Sequence, residues 1–339
     1  MLMPKEGARF IASKAKDVFI HQDGINKCAK VIISAAKEGK FDSHIQNDFM
    51  PQNKDLTIEQ LHNWVFLIDS LNFSFWTQKN DPKFQVSYQG KTLTGYLAMV
   101  AAVNRAMDEG KHMYDPKYYS KLSLDDMKDI FRADNKNITM PLLEKRVEIV
   151  SEVGNILLEH YNGTFENVLK ESNGSAIKLV EIIVSKFPSY RDIHTYEGKE
   201  VAILKRAQIL ASDIYLLHTS KGQKSPFDDI NELSMFADYR VPQALIHFGA
   251  LSYSENLMEK LNKDHLFNTG EREEVEIRGL SIYVTELIVE RARKILEEEG
   301  INNLNINSIK VDYFLWDYRS QNAKALEHIP FHKTRCIYY

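Results

Sequence analysis

The sequence predicts a mainly α-helical protein: one multi-helix domain over residues 1–339, with sub-lobes at 1–190 and 191–339 and one small β-hairpin. Three observations carry this expectation. Apolar residues recur at helical spacing in one segment after another. Strand-like alternation is convincing once, at residues 84–88. No repeat period or low-complexity tract points to a solenoid.

Residues 6–39 read as two helices, carried by Phe10, Ala15, Val18 and Phe19 and then by Ile25, Ala29, Ile32 and Ile33, with Gly39 as the stop. The pattern dissolves over residues 40–56 into a polar loop, where His44, Asn47 and Asp48 are candidates by neighbourhood alone. Residues 57–76 are the most aromatic stretch, and Trp64, Phe66, Phe73, Phe75 and Trp76 cannot all be solvated cheaply. Asp69 and Asn72, embedded there, need hydrogen bonds either from the protein or from a ligand. Gln89-Gly90 turns the hairpin, and a helix with an Ala-rich centre runs from about Thr94 to Gly110.

Residues 115–134, 140–160 and 163–187 repeat the helical pattern, punctuated by Pro116, Pro141, Asn162-Gly163 and Pro188. Residues 199–217 are apolar nearly all round and read as one buried helix, so Lys205, Arg206, Gln208 and Asp213 need partners. An Arg206–Asp213 ion pair would supply one, and a bound phosphate is the sharper alternative. Residues 271–299 open with the charge run EREEVEIRG, which reads as a solvated face, and continue as a long helix closed by Gly300.

Composition narrows the partners. A net charge of −4 argues against broad, salt-driven attachment to nucleic acid, and leaves room for a small phosphorylated ligand. Cys28 and Cys336 are too few for a disulfide framework or a thiolate metal site and fit a reducing compartment. With no apolar run of signal-peptide or membrane-span length, a cytoplasmic protein is expected, with the nucleus as a second compartment and no membrane partner. Cys336 stands four from the end as in a prenylation box, but Tyr339 is an unusual last residue there, so the tail reads as ordered and anchored by aromatics.

The stretch LSMFADYRVPQALIHFGAL, residues 233–251, places one carboxylate, Asp238, at a tight corner between two apolar segments. Asp228 and Asp229 can open a short helix before it, Pro242 suits the first turn of a helix after it, and Gly249 can end that helix. In this helix-hairpin-helix reading Asp238 lies just upstream of a helix N-terminus, which favours an ionised carboxylate. Beside Phe236 and Arg240 that anion could stabilise a sugar-like cation; a capping or salt-bridged turn aspartate is the bland alternative.

Near the C-terminus, VDYFLWDYRSQ placed on a helix at about 100° per residue brings Asp312, Tyr313, Trp316 and Asp317 onto one arc. Rings that stack and carboxylates that accept N–H groups can read a purine-like ligand; a buried interface would use the same residues. No G-x-S-x-G elbow, P-loop, G-x-G-x-x-G, H-E-x-x-H or paired C-x-x-C is present, and neither cofactor nor metal is expected. Carboxylates around an oxocarbenium-like centre are the general pattern of glycosidic cleavage.

Together NWVFLIDSLNFSFW, YQGKTLTGY, PLLEKR, FPSYRD, LKRAQIL, FADYRVPQ, EVEIRG, DYFLWDY and RCIYY resemble, in order and over nearly the whole chain, the eukaryotic queuosine salvage proteins, the queuosine 5'-phosphate N-glycosylase/hydrolases. The resemblance implies a fold similar to helix-hairpin-helix DNA glycosylases and hydrolysis of queuosine 5'-monophosphate to queuine and ribose 5-phosphate. It implies Asp238 as catalytic residue, Phe236 and Tyr239 of the same motif with Asp312, Tyr313, Trp316 and Asp317 as substrate contacts, and Lys205 and Arg206 for the phosphate. Asp69 and Phe73 join the substrate contacts, and His44 is the candidate for a family histidine whose spacing to NWVF is changed in FDSHIQNDFMPQ. The expected partner is that small molecule, with no direct nucleic-acid contact. A non-catalytic queuine or nucleobase carrier and a true DNA glycosylase are the competing functions.

Overall fold

Helical periodicity is realised along most of the chain. The structure, a computed structural model, describes residues 1–41, 50–51 and 55–339; His44 lies outside the described residues. In chain order the elements are α1 (Pro4–Ala12), β1 (Val18–Ile20), α2 (Gln22–Lys37), α3 (Ile58–Ser70), β2 (Gln85–Tyr88), β3 (Lys91–Thr94), α4 (Gly95–Asp108), α5 (Pro116–Tyr119), α6 (Leu124–Ile130) and α7 (Leu143–His160). They continue with α8 (Phe165–Ser172), α9 (Ala176–Lys186), β4 (Ile193–Tyr196), β5 (Lys199–Ala202), α10 (Lys205–Thr219), α11 (Val241–His247), β6 (Leu251–Tyr253), α12 (Glu255–Asn262), α13 (Arg272–Glu298) and α14 (Ser308–Gln321).

The chain divides into two compact units. The first comprises Met1–Asn47, Asp192–Gln208 and Asn231–Arg335; the second comprises Asp48–Arg191, Ile209–Ile230 and Cys336–Tyr339.

In the first unit α13 is the central rod, packed by α1, α2, α11 and α14. Its 27 residues carry Val275, Leu280, Val284, Ile288 and Ala292 into a core shared with Ile11, Ile25, Ile32, Leu245 and Val311. Gly279 permits the close crossing of α13 with α1, because a Cβ there would lie 2.5 Å from Ile11 Cδ1. Two antiparallel pairs edge this unit: β1 with β6, Val18 opposite Tyr253, and the hairpin β4–β5, Ile193 opposite Ala202. Both correct the expectation of one small hairpin. The pairs are only three or four residues long, too short for alternation to stand out against the apolar run that follows. For the same reason the helix expected from residue 199 begins at Lys205, after β5.

In the second unit α3 opens with a capping box: Gln60 N–H donates to Thr57 Oγ1 at 3.2 Å, and Thr57 N–H donates to Gln60 Oε1 at 2.9 Å. Leu61 through Ser70 are all buried, with Phe66 stacked on Phe165 at 4.6 Å between centroids. The expected hairpin is β2–β3, Gln85 opposite Thr94, turned by Gln89 and Gly90 at φ 48° and 74°. The segment expected as one helix over residues 163–187 is two, because Asn173 and Gly174 turn left-handed between α8 and α9. Of the two acids expected to open a helix before the Asp238 corner, Asp229 serves elsewhere: it accepts from Ala176 N–H and Ser175 Oγ at 2.6 Å each, at the start of α9. What precedes the corner is therefore a 3₁₀ turn, Ile230–Glu232, followed by extended chain.

No helix among the described residues is long and apolar enough to cross a membrane. Cys28 and Cys336 are both buried.

Candidate active site

The corner forms where extended chain through Asp238 meets the start of α11. Val241 and Pro242 occupy its first turn, and Gly249 at φ 78° follows its end. Asp238 Oδ1 accepts from two amides that a helix start leaves without intrahelical partners, Arg240 N–H at 2.7 Å and Val241 N–H at 2.8 Å. The bland capping role is therefore filled by one oxygen. Oδ2 makes no hydrogen bond among the described residues, and the side chain is half-buried rather than enclosed.

Cations and rings surround it. The Arg240 guanidinium lies over the Phe331 ring at 4.0 Å and the Tyr239 ring at 5.2 Å. Gln243 Oε1 accepts from both Arg240 Nη1 at 3.2 Å and Arg319 Nε at 3.0 Å. Burial, then Arg240, pulls Arg319 down to about 10, which still leaves it charged at neutral pH. Burial, opposed by Arg240, pushes the Tyr239 phenol up to about 12 and keeps it neutral.

Asp312, on α14, faces the chain just before the corner. Its Oδ1 accepts from Phe236 N–H at 3.1 Å, and the Tyr313 ring meets the Phe236 ring edge to face at 5.6 Å. Only 4 % exposed, the carboxyl is raised well above the usual carboxylate range, first by burial and then by the charge of Asp238. Lys205 opposes that shift without cancelling it. The two carboxyls thus sit in different settings, a half-buried one at a helix start and a fully buried one whose neutral form burial favours.

Beneath the corner lies a cluster that the sequence concealed. Glu274, Glu276 and Arg278, read as a solvated face, are each 0 % exposed. Each is paired: Glu276 accepts from Lys16 N–H, Asp17 N–H, Tyr196 Oη and Arg272, while Arg278 forms a fork with Asp192 at 2.9 and 2.7 Å. Glu276 and Arg278 draw most of their partners from distant parts of the chain, which local charge patterning could not reveal; the i, i+4 spacings of Arg272 with Glu276 and of Glu274 with Arg278 were the available hints.

The other expected residues are distributed as follows. On α14 Trp316 is half-buried against the core of the first unit, and Asp317 is half-buried and acts electrostatically on Asp312. Lys205 and Arg206 begin α10 and are both buried, the Lys205 ammonium acting on Asp312. The structure therefore brings Asp238, Phe236, Tyr239, Asp312, Tyr313 and Lys205 into one neighbourhood of the first unit. Asp69 and Phe73 belong to the second unit and are buried there. Asn72 Nδ2 donates to Asp69 Oδ1 at 3.4 Å, and the Arg146 guanidinium lies over the Phe73 ring at 4.2 Å while donating to the Phe73 carbonyl. The same unit holds a chain that sequence reading missed: His62 Nδ1 lies 2.8 Å from Glu166 Oε2, and its Nε2 lies 2.9 Å from His218 Nε2.

Residues 49–339 match the model of a family described as queuosine salvage protein. A Mus musculus protein named queuosine 5'-phosphate N-glycosylase/hydrolase is 44% identical over 339 residues, which cover 100% of this chain and 99% of that protein. Proteins of the same name from Bos taurus and Schizosaccharomyces pombe are 43% and 32% identical, over 100% and 98% of this chain and 99% of each relative. Matched by the family model over most of its length and by these relatives over nearly all of it, the chain belongs to the queuosine salvage protein family.

Proposed function

We propose that this chain is an N-glycosylase that hydrolyses queuosine 5'-monophosphate, releasing queuine and ribose 5-phosphate. The observation that carries the reading is Asp238: one carboxylate oxygen is tied to the start of α11 and the other is left open, on a chain whose near-full-length relatives bear that activity in their names. Those names favour hydrolysis over a non-catalytic nucleobase carrier.

An N-glycosidic bond breaks as positive charge builds on the ribose, and a fixed anion in a water-poor site stabilises that charge. Asp238 supplies the anion through Oδ2, as nucleophile or as electrostatic stabiliser. Phe236 and Tyr239 flank the base, joined by Tyr313, Trp316 and Asp317 from α14. Asp312, whose neutral form burial favours, is placed to donate a hydrogen bond to an acceptor on the departing base. Lys205 and Arg206 at the start of α10 supply the cations that suit the 5'-phosphate.

We further read the scaffold as related to helix-hairpin-helix DNA glycosylases, supported by the helix that starts at the working carboxylate. The partner is a small nucleotide rather than nucleic acid, in keeping with a net charge of −4, and a content of two cysteines fits the cytoplasm or nucleus.

The test is incubation of the protein with queuosine 5'-monophosphate and, in parallel, with the unphosphorylated nucleoside. Release of queuine from the phosphate, faster than from the nucleoside, supports the reading; recovery of intact phosphate bound to the protein would make it a carrier.

A further inference from the structure

We propose that Arg278, paired with Asp192, is a positioning residue that fixes the direction in which Asp238 presents its open oxygen. The inference rests on the catalytic reading of Asp238 and deepens it. Arg278 is fully buried and uses all three of its nitrogens: Nη1 and Nη2 form the fork with Asp192, and Nε donates to the Ala237 carbonyl at 3.0 Å. That carbonyl belongs to the planar peptide unit that leads into Asp238. Asp238 is therefore held from two sides, its incoming peptide by Arg278 and its Oδ1 by the amides of Arg240 and Val241. With both ends of the residue fixed, the place of Oδ2 is fixed as well.

The same carboxylate reaches a second part of the neighbourhood. Asp192 Oδ2 accepts from Lys205 N–H at 3.1 Å, its Oδ1 lies 2.8 Å from His194 Nε2, and its backbone carbonyl accepts from Ile203 and Leu204 N–H at 3.0 and 3.4 Å. Leu204, at φ 57°, sits in the left-handed region that a leucine rarely adopts, immediately before Lys205. Such backbone persists where its surroundings over-determine it. One buried ion pair thus sets both the Asp238 corner and the entry to α10. A buried pair adds little net stability over apolar residues of the same volume, so its cost is better explained by the geometry it imposes.

The experiment uses the full chain with Arg278→Lys, which keeps a cation opposite Asp192 but gives up the planar fork that also reaches Ala237. The expected result is a protein that melts close to wild type, binds queuine and shows a KM for queuosine 5'-monophosphate within about threefold, and loses roughly tenfold to a hundredfold in kcat, the scale of an ångström-level misplacement. A double variant, Asp192→Leu with Arg278→Met, removes both charges together and should reproduce the kcat loss if the lysine variant does not fold. Wild-type kcat in either folded variant overturns the proposal. So does a kcat loss matched by an equal loss of queuine binding, or collapse of both proteins, since either outcome assigns the pair to structure alone. Asp238→Asn is assayed beside them: full turnover there removes the reading of Asp238 itself, whereas an inactive Asp238→Asn beside a fully active Arg278→Lys removes only the clamp.

Discussion

Replacing Asp238 by Asn separates its two jobs, because the amide keeps an oxygen for the cap and removes the charge. Asn Oδ1 can still accept from Arg240 N–H and Val241 N–H, now at 2.7 and 2.8 Å, so α11 keeps its start. Stability should change by less than about 0.5 kcal/mol, whereas Asp238→Ala, which abandons both bonds, should cost about 1 kcal/mol, the usual value of a lost cap. Turnover should respond quite differently. A unit charge about 4 Å from a developing ribosyl cation, at an effective dielectric constant of about 20, is worth roughly 4 kcal/mol. Loss of one oriented stabiliser in other active sites costs about 2.7–4 kcal/mol, a factor of about 10² to 10³ in kcat. Both substitutions should therefore slow queuine release by at least about a hundredfold at saturating queuosine 5'-monophosphate, while only the alanine variant melts detectably lower. Chromatographic measurement of released queuine, alongside a thermal melt of the same samples, reads both effects. An asparagine variant within about tenfold of wild type, or losses that track the melting temperature, would refute the argument.

Two further expectations concern protons. Asp312 is raised by burial, so its charged form is penalised in the folded state; the penalty is absent at low pH and grows as the pH climbs above 3.8, the ordinary value for the side chain. Asp312→Asn should accordingly melt higher than wild type at pH 7, with the gain shrinking toward pH 4. Because the amide also donates, kcat should stay within about tenfold, a difference of about 1.4 kcal/mol, and a variant as inactive as Asp238→Asn would contradict the donor role given to Asp312. In the second unit His62 and His218 are both lowered from 6.5, in each case first by burial. Groups depressed on folding lend stability above that value and lose it as pH falls below it. Glu59 and Glu166 soften the shift at His62, and Lys221 adds to that at His218. The difference in melting temperature between wild type and His62→Gln should therefore narrow between pH 7 and pH 5, and a gap that widens would count against the buried relay.

Much of the scaffold was legible because its helices carry their own punctuation. Asp238 could be placed beside a helix start from Pro242 and Gly249 alone, and the structure adds which oxygen does the capping. The acidic and aromatic arc of α14 was likewise readable at helical spacing, though not that Asp312 would be buried and biased to the neutral form while Trp316 packs against the core. What stayed hidden depends on residues far apart in sequence. The run at Glu274, Glu276 and Arg278 looked wet because charges usually are; Asp17, Asp192, Tyr196 and Ala237 arrive from elsewhere to satisfy Glu276 and Arg278 in the interior. Asp229 looked like the opener of the next helix in sequence and instead caps α9. Strands β4 and β5 disappeared into an apolar stretch that reads equally well as buried helix.

In the mechanism proposed for Asp238, an anion held at a helix start stabilises positive charge on the ribose as the base leaves. Competitive turnover of queuosine 5'-monophosphate carrying hydrogen or deuterium at C1' tests it most directly, since C1' rehybridises as that charge develops. The deuterated substrate should react measurably more slowly in kcat/KM when the chemical step limits. Equal consumption of the two isotopologues under that condition would contradict a cation-like transition state and, with it, the role assigned to Asp238.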